Sequence, residues 1–324
     1  MPQAIVFPEP RRVELHEVEL PTLAEGEVRL RTRVSLLSTG TEGIMYGRNF
    51  DAGTHWDRWF GYPTRPGYSL VGDVEESRSE LLRPGDRVVV QRPHASHHVV
   101  DAARCTRVPD DVSDEDAAWF ALAKVAFVGA EASGLGLGGR ALVVGAGPVG
   151  QMAVRWLAAA GAAEITVVDR SGGPRLELAA SGGATHPVKG DVADFDPDNQ
   201  ERVRPDVVID STGNAEAFAQ SLRVVADRGR VVVLGDTGFP SEQRLTSDLI
   251  VRGITVVGAH GNHVRGERDH EVRKLFFRMV ATRRFVMDGL VTHRFAPRAC
   301  DEAYDMIETQ RDTTMGIVFD WRNP

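Results

Sequence analysis

Cysteine is scarce: 324 residues contain two, Cys105 and Cys300. That is too few for a four-cysteine zinc lobe or a disulfide framework, and a reducing, cytoplasmic setting fits. Basic charge is also short, with 38 Lys and Arg against 46 Asp and Glu and a net charge of −8. This argues against a nucleic-acid partner or an anionic membrane surface, while leaving room for a local basic pocket. No apolar run approaches the roughly 20 residues that span a bilayer. The opening MPQAIVFPEP is interrupted by Pro2, Pro8 and Pro10 and has no basic segment before an apolar one, so it does not read as a targeting signal. Repeats at solenoid spacing and low-complexity tracts are missing too. What remains is a soluble α/β protein, long enough for two domains or for one domain with a large insertion.

The texture of the chain changes along its length. Residues 1–118 are β-rich: AIVF, RRVELHEVEL, EVRLRTRVSLL, YSLVGDVEE and DRVVVQ are β-branched or alternating runs separated by Pro and Gly turns. An apolar helix is predicted over 114–132, followed by strand RALVVG, helix PVGQMAVRWLAAAG, strand EITVVD, helix PRLELAAS and strand DVVIDS. Helix AEAFAQSLRVVA and strands GRVVVLG and ITVVGAH complete the series. Almost wholly apolar strands, each followed by an amphipathic helix, mean a parallel sheet covered on both faces. After a helix predicted over 270–283, the mixed character of the beginning returns and ends in strand GIVFDW. The simplest layout inserts a doubly wound nucleotide domain, 119–285, into a β-rich domain made of 1–118 and 286–324.

The strongest chemical motif is ALVVGAGPVGQMAVRWL, in which Gly145, Gly147 and Gly150 form G-x-G-x-x-G between an apolar strand and an amphipathic helix. The first glycine allows a tight turn, the second lets a pyrophosphate approach the backbone, and the third lets helix and strand pack closely. Pro148 and Val149 open the helix whose N-terminus faces the phosphates. The next strand ends in Asp169, near the spacing of roughly 20 residues at which an acid meets the adenosine ribose. That carboxylate would repel a 2′-phosphate, which favours NAD(H), whereas Arg170 and Arg175 could accept one, which keeps NADP(H) open. Later strand ends along the same sheet edge supply Ser211, Thr212, Gly213, Leu234, Gly235, Ala259 and His260 as candidate cofactor contacts.

This order of parts resembles the medium-chain dehydrogenase/reductase superfamily, the alcohol dehydrogenase-like proteins with a GroES-like catalytic domain and an inserted Rossmann domain. The resemblance covers essentially the whole chain. Besides GAGPVG it rests on Pro66-Gly67-Tyr68-Ser69-Leu70-Val71-Gly72-Asp73-Val74, similar to the family's P-G-H-E-x-x-G-x-V, and on Pro84-Gly85-Asp86-Arg87-Val88, similar to its P-G-D-R-V turn. Ser38-Thr39-Gly40-Thr41-Glu42, Gly61-Tyr62-Pro63 and Asp288-Gly289-Leu290-Val291-Thr292-His293 are similar to the branch that contains bacteriochlorophyllide a dehydrogenase. The resemblance implies hydride transfer with a nicotinamide cofactor, with Thr41 among the cofactor contacts.

Where the family's zinc-dependent members place metal ligands, this chain has Ser38, Tyr68, Ser69 and a residue near Ala123 or Lys124, which is no zinc set. The structural zinc lobe is replaced by QRPHASHHVVDAARC. His94, His97 and His98 with Cys105 have a suggestive spacing, but the better reading is an imidazole that contacts substrate. No zinc is expected, so another group must stabilise the alkoxide and move a proton. The candidates are Tyr68, Lys124, His94 and Glu42. Tyr68 would hydrogen-bond a carbonyl oxygen, unless it is a packed aromatic. Lys124 lies in the apolar AAWFALAKVAFVGA, where burial would favour proton donation, unless it snorkels out.

The stretch 48–62 is unusually aromatic and could cover a cleft, with Tyr46, His55, Trp56 and Trp59 against a cyclic or apolar substrate and Arg48 and Arg58 pairing an acidic group. The reading as a whole is a zinc-independent NAD(P)-dependent enzyme acting on a secondary alcohol or ketone of a small metabolite, in a homodimer paired through ITVVGAH. An enoyl- or quinone-type reductase using NADPH and a nucleotide-sensing protein without turnover are the alternatives.

Overall fold

The structure is a computed structural model that describes residues 1–195 and 203–322. From the N-terminus run β1 (Gln3–Val6), β2 (Glu14–Glu17), β3 (Glu27–Leu37), helices α1 (Thr41–Gly47) and α2 (His55–Trp59), then β4 (Leu70–Ser77), β5 (Arg87–Val90), β6 (His97–Asp101) and β7 (Thr106–Arg107). Helices α3 (Asp114–Ala117) and α4 (Phe120–Ser133) lead to β8 (Arg140–Val144), α5 (Pro148–Ala160), β9 (Glu164–Asp169), α6 (Pro174–Ser181) and β10 (His186–Lys189). Next come β11 (Val207–Asp210), α7 (Ala215–Val224), β12 (Arg230–Val233), α8 (Asp248–Val251), β13 (Thr255–Gly258) and α9 (Glu267–Ala281). The chain closes with β14 (Val291–Phe295), α10 (Cys300–Thr309) and β15 (Gly316–Asp320).

Two compact units result: Met1–Ala121 with His270–Thr282 and Asp288–Pro324, and Leu122–Asp269 with Arg283–Met287. In the first, a sheet of order β14-β15-β3-β4-β5-β7, with β6 also paired to β3, is antiparallel except between β14 and β15. The first half of β3 shows why it forms. Val28, Leu30 and Val34 point into the core while Arg29, Arg31 and Arg33 alternate outward, the period-two pattern of a half-buried strand. Arg87 of the P-G-D-R-V turn donates to Asp114 (2.9 Å) and to the carbonyls of Pro109 (2.6 Å) and Val112 (2.8 Å), tying the turn to the start of α3.

The second unit carries a parallel sheet of order β10-β9-β8-β11-β12-β13. Its central strands RALVV and VVID are buried almost throughout, as a sheet with helices on both faces requires. The edge strand β10, HPVK, has no apolar run and carries Pro187, so the sequence gives little sign of it. Arg155 on α5 is fully buried and, among the described residues, meets no carboxylate; it donates to the carbonyls of Val286 (2.8 and 2.7 Å) and Gln151 (3.0 Å), and burial lowers it to about 10.

The sequence assigns 119–285 to the nucleotide domain. The structure groups 270–282 with the first unit instead. The cause is side-chain bonding: His270 meets Thr106 Oγ1 (2.8 Å) and the Ala103 carbonyl (2.9 Å), and Arg273 donates to the Arg104 carbonyl (3.0 Å). Among the described residues, no helix is long and apolar enough to cross a membrane.

Candidate active site

In the second unit the strand order reverses between β8 and β11, the point at which open α/β sheets bind nucleotides. Gly145 follows β8 and Ser211 follows β11, and Ser211 Oγ donates to the Val144 carbonyl (2.8 Å), closing the two strand ends together. Helix α5 starts at Pro148, whose fixed φ and missing N–H suit a first helical position. An added Cβ at Gly150 would collide with the Gly145 carbonyl oxygen, so only glycine lets α5 come this close to its strand. At Gly147, by contrast, nothing lies within 4 Å of where a Cβ would stand, which leaves the helix N-terminus open to a pyrophosphate.

Asp169 ends β9 buried against this loop. Its carboxylate accepts from the Ala146 (2.8 Å) and Ser171 (2.9 Å) amides, and Arg175 lies 3.9 Å away. Arg175 is itself buried, while Arg170 is exposed and pairs with Asp191 at 3.7 Å. Thr212, Gly213 and Gly235 follow β11 and β12, where the Leu234 and Gly235 amides donate to the Asp210 carbonyl (2.9 and 2.8 Å). Ala259 donates its amide to Val233 (2.9 Å), and the exposed His260 caps the Asn262 amide (3.1 Å). The residues present fit a dinucleotide.

In the first unit a second set of polar groups gathers around α1. Tyr68 donates its hydroxyl to Ser38 Oγ (2.8 Å) and also meets the Thr41 side chain, which places Thr41 here. The Glu42 carboxylate accepts from the Ser38 amide (2.7 Å), from His94 Nε2 (3.0 Å) and from the Tyr304 hydroxyl (2.5 Å). On its other side His94 Nδ1 meets Ser35 Oγ (2.7 Å), which accepts from Trp321 Nε1 (2.9 Å). Glu42, His94, Ser35 and Tyr304 are completely buried. Gly67 makes room for this: its φ is +96°, and a Cβ there would stand 2.5 Å from the His94 ring. Burial above all, with the Glu42 charge as a smaller contribution, raises the Tyr68 phenol, while bonds to Ser38 and Thr41 pull it down.

Of the catalytic candidates, Tyr68, Glu42 and His94 therefore come together. Lys124 belongs to the second unit, buried on α4 with its ammonium 3.2 Å from Asp269. Among the aromatic candidates, Tyr46 is buried, stacked on Tyr304 at 5.3 Å, with its hydroxyl on the Arg11 carbonyl (3.1 Å). Trp56 is also core, 2% exposed and stacked with Phe50 at 6.4 Å, so neither presents a face to a ligand. The expected open loop holds instead the short helix α2, on which Trp59 (63%) and His55 are exposed. Arg48 pairs with Asp57 (3.1 Å). Ser69 donates to the Ala118 carbonyl (2.5 Å). His97 lies 3.7 Å from Glu75, and burial pushes His98 down to about 3. Among the described residues, no group of three or more His, Cys, Asp or Glu is placed to hold a metal ion. Tyr304, Ser35 and Trp321 have no signature in the sequence, because only the fold joins positions so far apart.

A family model described as zinc-binding dehydrogenase matches residues 148–281. L-threonine 3-dehydrogenase from Anaeromyxobacter sp. (strain K) is 28% identical over 350 residues, covering 94% of both chains. An oxidoreductase/dehydrogenase of unknown specificity from Escherichia coli has the same fold at 19% identity, with TM-score 0.84 over 98% of this chain and 99% of that one. A zinc-binding dehydrogenase of Sinorhizobium meliloti 1021, solved bound to NADP, matches at 19% identity and TM-score 0.80 over 99% of each chain. Together with the glycine loop, the reversal between β8 and β11 and the β-rich unit whose chain returns at the end, these likenesses support a medium-chain dehydrogenase/reductase of the alcohol dehydrogenase type.

Proposed function

We propose that the chain interconverts a secondary alcohol and a ketone of a small metabolite, with NAD(H) preferred over NADP(H) and without zinc. The observation that carries this reading is the Tyr68–Ser38 hydroxyl pair, 2.8 Å apart, at positions that resemble metal-ligand positions of zinc-dependent members. A bound nicotinamide supplies or accepts the hydride; the chain must hold the substrate oxygen as its charge grows. In this reading the neutral phenol turns its one hydrogen from Ser38 Oγ to that oxygen when substrate binds, the task a zinc ion performs as a Lewis acid. Burial keeps the Tyr68 phenol protonated at neutral pH, so it acts as donor and general acid in the reducing direction. Ser38, Tyr68 and Ser69 offer neither thiolate nor imidazole, which is poor zinc chemistry. The buried Asp169 carboxylate, with Arg175 already turned toward it, favours NAD(H).

In this reading Trp59 and His55 are the aromatic groups on the substrate side, and the protein works in the cytoplasm as a homodimer. Support for the dimer comes from β13, which ends its sheet with Thr255 and Val256 exposed beside Ile250 (86%) and Val251 (80%). The experiment is turnover of L-threonine, 2-butanol and cyclohexanol with NAD by protein of measured metal content and mass in solution. We expect activity without bound zinc, lowered roughly 100-fold in kcat by Tyr68→Phe. About one zinc per chain, with activity lost on chelation, would overturn the metal-free mechanism.

A further inference from the structure

We infer that Tyr304 is a positioning residue for the Tyr68–Ser38 hydroxyl pair, acting through the Glu42 carboxylate. The inference rests on the reading of Tyr68 given above. Glu42 receives three hydrogen bonds, from the Ser38 amide (2.7 Å), His94 Nε2 (3.0 Å) and the Tyr304 hydroxyl (2.5 Å). It is fully buried, so its charge has no water to turn to, and losing one donor leaves it free to rotate toward another.

The direction of every bond can be followed from the groups at the ends. An indole nitrogen only donates, so Trp321 donates to Ser35 Oγ at 2.9 Å. At the other end a carboxylate only accepts, so His94 carries a proton on Nε2 facing Glu42 (3.0 Å), and in a neutral imidazole Nδ1 is then left to accept the Ser35 hydrogen at 2.7 Å. All donors thus converge on one carboxylate, and Tyr304 brings α10 into that convergence. From Glu42 the link to the reacting oxygen is short. Its Oε1 holds the backbone of Ser38, and the Ser38 hydroxyl is where Tyr68 aims. A carboxylate turned away would release the Ser38 amide and with it the aim of Tyr68. Removing the charge while keeping an oxygen for Ser38 does something different: it takes away a nearby anion without loosening the backbone.

The test uses tyrosine labelled with 13C at Cζ, because the chain has only four tyrosines. Single Phe variants assign the four resonances. In Tyr304→Phe the Tyr68 resonance should move at pH 8, while that of Tyr62, whose hydroxyl donates to the Met45 carbonyl (2.5 Å), stays in place. Glu42→Gln should lower the Tyr68 titration midpoint, whereas Tyr304→Phe should raise it. In turnover, the loss caused by Tyr304→Phe should vanish in a Tyr68→Phe background. A Tyr68 resonance unmoved by Tyr304→Phe, or additive losses in the double variant, would overturn the inference. Full turnover by Tyr68→Phe alone would instead refute the role given to Tyr68, whatever the resonances do.

Discussion

The Lys124 ammonium lies 3.2 Å from the Asp269 carboxylate, both largely buried within the second unit. This pair joins α4 to the first turn of α9 and occupies the side chain that the sequence offers as a proton donor. Breaking a buried pair from one side leaves the other charge stranded, at a cost of about 3 kcal/mol. Lys124→Met should therefore lower stability by that order in urea melts, and Lys124→Met with Asp269→Leu should recover most of it. Failure of the double variant to recover would mean that the pair is not what holds this corner.

Cofactor choice is open to a direct measurement. In Asp169→Ala, fluorescence titration should show NAD binding weakened by about tenfold, the value of one charge-assisted hydrogen bond, with NADP gaining relative to it. Unchanged affinity for both cofactors would remove Asp169 from the site.

A pH effect is expected at Asp210. Burial raises its carboxyl above the ordinary carboxylate range, against bonds from Thr212 and Gly213 that lower it. A raised native value means that the folded state holds the proton more tightly than the unfolded chain does. That stabilisation is full below the ordinary value near pH 4 and is lost as pH rises through the native value. Asp210→Asn keeps Oδ1, which accepts from both the Thr212 amide (2.8 Å) and its hydroxyl (2.6 Å), and loses the Gly213 bond as a constant offset. The melting temperature of the variant minus that of the parent should climb between pH 4 and 7; a falling difference contradicts the assignment.

The tyrosines give a spectroscopic expectation. Burial raises Tyr62 and Tyr68, pushes Tyr46 up to about 12 with help from Asp305, and raises Tyr304 well above the ordinary phenol range, with Glu42 adding to it. A titration followed by tyrosinate absorbance should therefore show no step near pH 10 in native protein and a full one in urea. One native tyrosine ionising at pH 10 would place a phenol in water.

The geometry around the glycine loop, Pro148 and Asp169 was legible because its signal is local: a turn, a helix and the end of the next strand within 25 consecutive residues fix the spacing. Ser38 and Tyr68 drew attention only through family resemblance, and the structure places their hydroxyls 2.8 Å apart. What Glu42 does was not, because its partners come from α10 and from the end of β5's following loop, and no periodicity connects them. Trp56 misleads for a different reason. Aromatic residues in a Gly-containing stretch suggest an exposed surface, but one turn of helix is enough to send Trp56 inward and Trp59 outward. For α9 the pattern predicts a helix correctly, yet polar residues such as His270 and Arg273 decide which unit it joins.

The bond from Trp321 to Ser35 has a consequence for the order of assembly. It joins positions 286 residues apart, and β15 must lie against β3 before it can form. A chain emerging from the ribosome exposes β3 first and waits for nearly all the rest before that strand gains this neighbour. The parallel sheet, made from residues between them, has all its strands earlier. The second unit can thus be complete while Glu42 still lacks the Tyr304 hydroxyl, so during synthesis binding of dinucleotide should appear at shorter chain lengths than turnover.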